Sequence, residues 1–258
     1  MSVNKIATDD AIFSSKSFLR DRVPFNILLA LKEQAGAELY SDGANFIIVV
    51  SPAKDAIWTW TINDISDKNL EEMWNFIEYL GTDITCPYHV FMKSVLVGRS
   101  NMKLKVIRTR LAYQCKELYN VIESHGHIKK ADQGDLDTIA SLIIQNENTT
   151  EEAAKKRAAR WLTDYVPFLW LDNGDQAVAM SVFRSSADGY VRLGGLYVRP
   201  DCRSMGYERS LIHKMSEQII ADGKTPMIYV TESQKNTSTR YADMGFIKCG
   251  RIAEVELA

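Results

Sequence analysis

The sequence predicts an α/β (α+β) fold in two parts, with a mixed, mostly antiparallel sheet flanked by helices. Two observations predict it. Segments with apolar residues at helical spacing alternate with short β-branched and aromatic runs along the chain. In the C-terminal half those runs are tied by the hairpin dipeptides Asn173-Gly174 and Asp188-Gly189, and one further run, Pro226 to Ser233, is continuously apolar at its centre, as in a strand covered on both faces.

The C-terminal half is the clearer. His127 to Ala131 predicts a short strand, and Asp135 to Ile144 a helix with its apolar residues on one face. Thr149 with Glu152 makes a capping-box pattern for a second helix, whose inner face carries Ala154, Ala158, Trp161, Leu162 and Tyr165. Three strands follow, around Val166–Asp172, Asp175–Ser185 and Val191–Val198. A helix over 207–222 then buries Leu211, Ile212, Met215 and Ile219, with Gly223 as its C-cap. A short helix near Thr237–Met244 precedes a last strand or hairpin from Phe246.

In the N-terminal half, Pro24–Gly36 and Lys68–Gly81 predict helices, Ala44–Ser51 and Ala56–Ile62 a hairpin, and His89–Gly98 and Leu104–Tyr113 strands. The periodicity lapses in the polar stretch Lys116–Gly126, which sets the expected division into domains 1–125 and 126–258. The similar order of elements in the halves hints at a decayed duplication. Trp58, Trp60 and Trp74 could line a pocket, but their strand and helix spacing suits core packing better.

The 258 residues, 46% hydrophobic and 25% charged, suffice for a sizeable core. A net charge of −2 provides no general attraction to nucleic acid or to an anionic membrane, so neither is an expected partner. No run reaches the ~18 apolar residues of a membrane span and the N-terminus has no secretion pattern, so a cytoplasmic protein is expected. Cys86, Cys115, Cys202 and Cys249 are too scattered for a zinc site or a disulfide frame, and His125-Gly126-His127 lacks further ligands; no metal is expected.

The chemistry concentrates between Leu196 and Ser210. A strand, a glycine-containing loop and a helix present unpaired backbone N–H groups with the positive end of the helix dipole behind them, which suits a phosphate. Leu196-Tyr197-Val198-Arg199-Pro200, then Arg203-Ser204-Met205-Gly206-Tyr207-Glu208, then a strand, then Tyr241-Ala242-Asp243-Met244-Gly245-Phe246, resemble in order and spacing the GNAT superfamily of acyl-CoA-dependent N-acyltransferases. The resemblance covers roughly residues 127–258. It implies that Leu196, Tyr197 and Val198 flank the pantetheine arm of acetyl-CoA and that Arg203, Ser204, Met205, Gly206, Tyr207 and Glu208 hold its pyrophosphate, mostly through backbone N–H groups. Glu208 stands where the family has Gly or Ala and is a like charge toward a phosphate, although favourable in a first helical turn.

By the same resemblance Tyr241 is the general acid that protonates the leaving thiolate. Gln234 or Asn236 takes the place of the family's asparagine on the cofactor. The strand holding Leu196 has no carboxylate, so Glu232, at the end of the next strand, is the candidate base. The implied activity is transfer of an acetyl group from acetyl-CoA to a primary amine of a small molecule or peptide, by a monomer or homodimer. The alternative is a non-catalytic CoA-binding or regulatory protein of the same fold; a third reading gives the N-terminal half a structural or dimerising role, with the acyltransferase acting alone.

Overall fold

The computed structural model describes residues 3–81, 89–100, 102–232 and 241–257. Gln234 and Asn236 lie outside them, as does most of the short helix expected at 237–244. Along the N-terminal half run β1 (Asn4–Lys5), α1 (Lys16–Asp21), α2 (Asn26–Lys32), β2 (Glu38–Ser41), β3 (Phe46–Val50), β4 (Ala56–Thr61), α3 (Asp67–Gly81), β5 (His89–Lys93) and β6 (Leu104–Cys115). The C-terminal half runs β7 (His127–Lys130), α4 (Leu136–Asn146), α5 (Glu151–Asp164), β8 (Val166–Leu171), β9 (Ala177–Ala187), β10 (Tyr190–Val198), α6 (Tyr207–Ala221), β11 (Thr225–Thr231) and β12 (Phe246–Leu257).

These elements form two compact units, and the chain passes between them more than once. The first comprises Met1–Tyr113, Val230–Lys235 and Lys248–Ala258; the second comprises Gln114–Tyr229 and Asn236–Ile247. In the first unit the strands follow the order β1-β2-β3-β4-β5-β12-β6, so the chain's last strand is inserted between two N-terminal ones. β12 runs antiparallel to β5, with Ile252 opposite Lys93 and Val255 opposite Val90. The alternating apolar face of α3, Leu70, Met73, Trp74 and Ile77, packs with Phe46, Ile48, Ile57, Val90 and Val255 into one buried core.

In the second unit the order is β11-β10-β9-β8-β7. Asp188 and Gly189 both take left-handed backbone angles (φ 51° and 74°), the geometry of a two-residue hairpin turn, and place Ala187 opposite Tyr190. α4 and α5 bury Ile139, Leu142, Ile143, Ala154, Ala158 and Trp161 against Leu169, Met180 and Val182. Leu211, Ile212, Met215 and Ile219 of α6 are buried as their spacing requires.

Each unit contains a strand–helix–strand crossover flanked by a parallel strand pair. β4–α3–β5 pairs Ala56 with His89 through Trp58 with Phe91, and β10–α6–β11 pairs Tyr190 with Thr225 through Leu193 with Ile228. Among the described residues no helix is long and apolar enough to cross a membrane. Cys115, Cys202 and Cys249 are free thiols, and burial pushes the Cys115 thiol up to about 11, which suits an inert core residue.

Several local expectations are corrected. Thr150, not Thr149, caps α5, accepting the Ala153 N–H at 3.3 Å, while the Thr149 N–H is turned back to the Glu147 carbonyl. Tyr165 then follows the helix as its C-cap. The β8–β9 connection is a longer loop built on Asp172, whose carboxylate accepts from Gly174 and Gln176; Asp175 takes the left-handed angle expected of Asn173-Gly174. β5 ends at Lys93, and the rest of the apolar run forms a 3₁₀ turn over Ser94–Arg99.

Candidate active site

β10 loses its parallel partner before it ends. Its register with β11 stops at Leu193↔Ile228, while the strand continues to Val198 against β9 alone, through Tyr197↔Met180 and Val198↔Ala179. The cause is local. The β9–β10 register shifts between Gly194 and Tyr197, and Gly195 sits at φ 59°, where a Cβ would lie 2.9 Å from the Trp161 ring. On its β11 side the half-buried edge Leu196-Tyr197-Val198 thus has no registered strand partner among the described residues, and its N–H and C=O groups are placed for an extended ligand.

A 3₁₀ turn, Pro200–Cys202, leads from β10 into the loop. Ser204 and Gly206 both have left-handed angles, φ 66° and 83°, and Gly206 is the N-cap of α6. The bond from the Ser210 N–H to the Gly206 carbonyl at 3.0 Å is helix-closing, so the N–H groups of the preceding first-turn residues have no intrahelical acceptor. Ser124 braces this turn: its Oγ donates to the Met205 carbonyl at 2.7 Å, and its N–H donates to Ser210 Oγ at 2.7 Å. Residues 203–206 are exposed, and Arg203 donates to Asn146 Oδ1 at 3.0 Å. Alternating left-handed residues at a helix start form a concavity of amides, an arrangement suited to an anionic group.

Glu208 lies in the first turn of α6, and its carboxylate accepts a hydrogen bond from the Tyr241 hydroxyl at 3.1 Å. Tyr241 is buried, with its ring edge-on to Phe246 at 5.9 Å. The structure therefore brings together two residues 33 positions apart: the unexpected acid of the loop and the expected proton donor. The glutamate is turned onto a phenol.

A second carboxylate stands behind β10. Glu147, just past α4, accepts the Tyr197 hydroxyl and pairs with Arg157 of α5, while the Tyr197 ring stacks on Trp161 at 5.8 Å. Burial pushes the Tyr197 hydroxyl up to about 12, and the bond to Glu147 adds to it. For Glu147 burial acts upward, but the bonds from Tyr197 and Arg157 outweigh it and hold the carboxyl below its ordinary range. Glu147 is a fixed anion that clamps the end of β10, with Arg157 as its ion-pair partner.

Residues 173–254 match the family model described as FR47-like protein. Among solved structures, an acetyltransferase from the GNAT family of Colwellia psychrerythraea aligns with a TM-score of 0.65 at 14% identity, covering 100% of both chains. A GCN5-related N-acetyltransferase from Kribbella flavida aligns with a TM-score of 0.63 at 11% identity, over 94% of this chain and 96% of that one. The fold is the GNAT fold. A tandem GNAT protein from the clavulanic acid biosynthesis pathway also aligns, with a TM-score of 0.57 at 8% identity over 99% of this chain and 97% of that one. No curated protein matches the sequence.

Glu232 belongs to the first unit, where its N–H donates to the Thr109 carbonyl at 2.9 Å and its carboxylate accepts from Arg251 Nε at 3.1 Å. Gln234 and Asn236 are outside the described residues. The N-terminal crossover repeats the second unit's topology without its loop chemistry: Ile62 to Ser66 contains no glycine, and Asp64 and Asp67 put negative charge at the start of α3. Among the described residues, the start of α3 offers no glycine loop of that kind. Of the N-terminal tryptophans, Trp60 is buried and donates to Asp21 at 2.8 Å, and Trp58 stacks on Phe91 at 4.3 Å, both as core residues. Trp74 is also buried, and it walls a cavity of about 630 Å³ lined by Asp67, Lys68, Glu71 and Arg99.

Proposed function

We propose that the second unit is an acetyl-CoA-dependent N-acetyltransferase acting by direct transfer on a primary amine of a small molecule or peptide. The observation that supports this reading is the Tyr241–Glu208 hydrogen bond, which ties the expected proton donor to the helix turn that follows the amide-lined loop. The unpaired edge of β10 takes the pantetheine amides, and the loop amides from Arg203 to Glu208 take the pyrophosphate. The amine nitrogen attacks the acetyl carbonyl, the carbon–sulfur bond breaks, and the departing thiolate takes the hydroxyl proton of Tyr241. Water carries off the proton of the attacking amine. In the resting protein Glu208 accepts that single hydrogen, so the Tyr241 hydroxyl turns from the carboxylate to the sulfur for the transfer.

The same glutamate favours a second reading, a CoA-binding protein without turnover, since a carboxylate in the pyrophosphate loop opposes the cofactor's charge. A thermal-shift titration with CoA and acetyl-CoA, followed by an amine panel read by thiol release, separates the two. A shift with thiol release supports the transferase. A shift without release on any amine supports the binding protein, and no shift at all removes both.

A further inference from the structure

Away from the loop, α6 carries a second cluster of chemistry-bearing side chains. His213 and Glu217 are four residues apart and share one face of the helix. Glu123 reaches the same face from the segment before β7. His213 Nδ1 lies 3.9 Å from Glu123 Oε1 and 3.9 Å from Glu217 Oε1, and the three ligand atoms fall within 4.8 Å of one another.

His213 is the informative member. Its side chain is only 5% exposed, and its Nε2 lies 3.1 Å from the Tyr119 carbonyl oxygen. A carbonyl only accepts, so Nε2 carries the hydrogen and the lone pair of the neutral ring resides on Nδ1. That nitrogen is buried without a hydrogen-bond partner and faces two carboxylates that have no hydrogen to give. A buried lone pair between two anions is electrostatically costly until a cation joins them. Lys214 meets only part of that need: its Nζ lies 2.7 Å from Glu123 Oε1 and 3.0 Å from Glu217 Oε2, beside the carboxylates, and leaves the imidazole unsatisfied. With a neutral histidine the four side chains sum to one negative charge.

We propose that Glu123, His213 and Glu217 form a binding site for a divalent transition-metal ion, with Zn²⁺ the best match. One imidazole nitrogen and two carboxylate oxygens are three ligands of the borderline type zinc accepts, with a fourth position open to water. The Tyr119 carbonyl is the outer partner that fixes the ring's tautomer and orientation. At ligand distances of about 2.0–2.1 Å, tetrahedral ligand atoms sit about 3.3 Å apart, so each carboxylate, now 3.9 Å from the imidazole, closes on it by roughly 0.6 Å, and the two, within 4.8 Å, close on each other by up to about 1.5 Å. Glu123 and Glu217 are partly exposed and free to do so, and Lys214, on its flexible stem, swings to solvent. The imidazole selects against Mg²⁺, which prefers oxygen ligands in octahedral geometry. Because Ser124, next to Glu123, braces the loop at Met205 and Ser210, the ion fastens that brace to α6.

The test is calorimetric titration of the untagged, chelator-treated full chain with Zn²⁺, with Mg²⁺ as control and Co²⁺ followed by visible absorption. The expected result is one Zn²⁺ per chain, Mg²⁺ weaker by ~100-fold or more, and the intense visible bands of four-coordinate Co²⁺. Glu123→Gln with Glu217→Gln changes only partly exposed side chains, so the fold is kept, as circular dichroism verifies, and Zn²⁺ affinity falls by ~100-fold or more. Lys214→Ala removes the competing ammonium and tightens binding. Absence of saturable Zn²⁺ binding, or binding that the double variant leaves unchanged, overturns the site and reduces the cluster to a lysine held by two carboxylates.

Discussion

Replacing Gly206 with alanine strikes the candidate loop at its most constrained point. Gly206 sits at φ 83°, and a residue with a Cβ pays about 1–2 kcal/mol to adopt left-handed angles. The added Cβ would also lie 2.7 Å from Ser124 Oγ, displacing that hydroxyl from its 2.7 Å bond to the Met205 carbonyl, a net loss of about 0.5–1.5 kcal/mol. The total is roughly 2–3 kcal/mol, which for a domain of this size lowers Tm by about 4–12 °C. The amides that would meet the pyrophosphate shift with the turn, and losing one charge-assisted bond of about 1.5–3 kcal/mol weakens CoA by at least ~10-fold. Differential scanning fluorimetry of Gly206→Ala with and without CoA reads both effects. Ser124→Gly separates them, since in the double variant the clash is gone while the backbone strain stays, so the two losses are less than additive. A Gly206→Ala protein that keeps its melting point and its full CoA shift would refute the reasoning and move the phosphate site out of this loop.

Three further outcomes are expected. Tyr241→Phe keeps the edge-on contact with Phe246 and lowers kcat by ~10²-fold to 10⁴-fold with the CoA-induced thermal shift preserved, whereas full turnover would exclude the hydroxyl from the chemistry. Glu208→Gln keeps an acceptor for Tyr241 and removes the charge, so CoA binds more tightly, most visibly at low ionic strength; weaker binding at every salt concentration would mean that the carboxylate assists the cofactor. Glu147, whose folded carboxyl is held below its ordinary 4.5, contributes stability that is present above that value and lost as pH falls through the folded one. The stability gap between wild type and Glu147→Gln, measured by urea midpoints, is therefore widest at neutral pH and closes in acid; an equal gap at pH 7 and pH 3 contradicts the assignment.

What the sequence made legible follows from local physics. The buried face of α6 and the Asp188-Gly189 turn were readable because each depends on spacing or on backbone angles that few residues adopt. The loop of the candidate site was readable for the same reason, as a strand, a glycine and a helix start. Contacts between distant residues were not. Glu208 gave no sign that it would meet Tyr241, Glu147 none that it would clamp Tyr197, and His213 passed as one more residue of a buried helix face. Turn chemistry also competed: Asp172 took over the β8–β9 loop through its own side-chain bonds, where Asn173-Gly174 alone would have made a tighter hairpin.

The placement of β12 has a consequence for synthesis on the ribosome. The sheet of the first unit has a place between β5 and β6 that is filled by β12, a strand made after the second unit. At ~5–20 residues per second, the strands emerging before Tyr113 wait on the order of ten seconds, while the whole second unit is made, before Lys248–Leu257 leave the tunnel. During that interval Val90 and Met92 of β5 face an open edge, so the first unit is born unfinished and exposed to chaperones and to strand exchange between nascent chains.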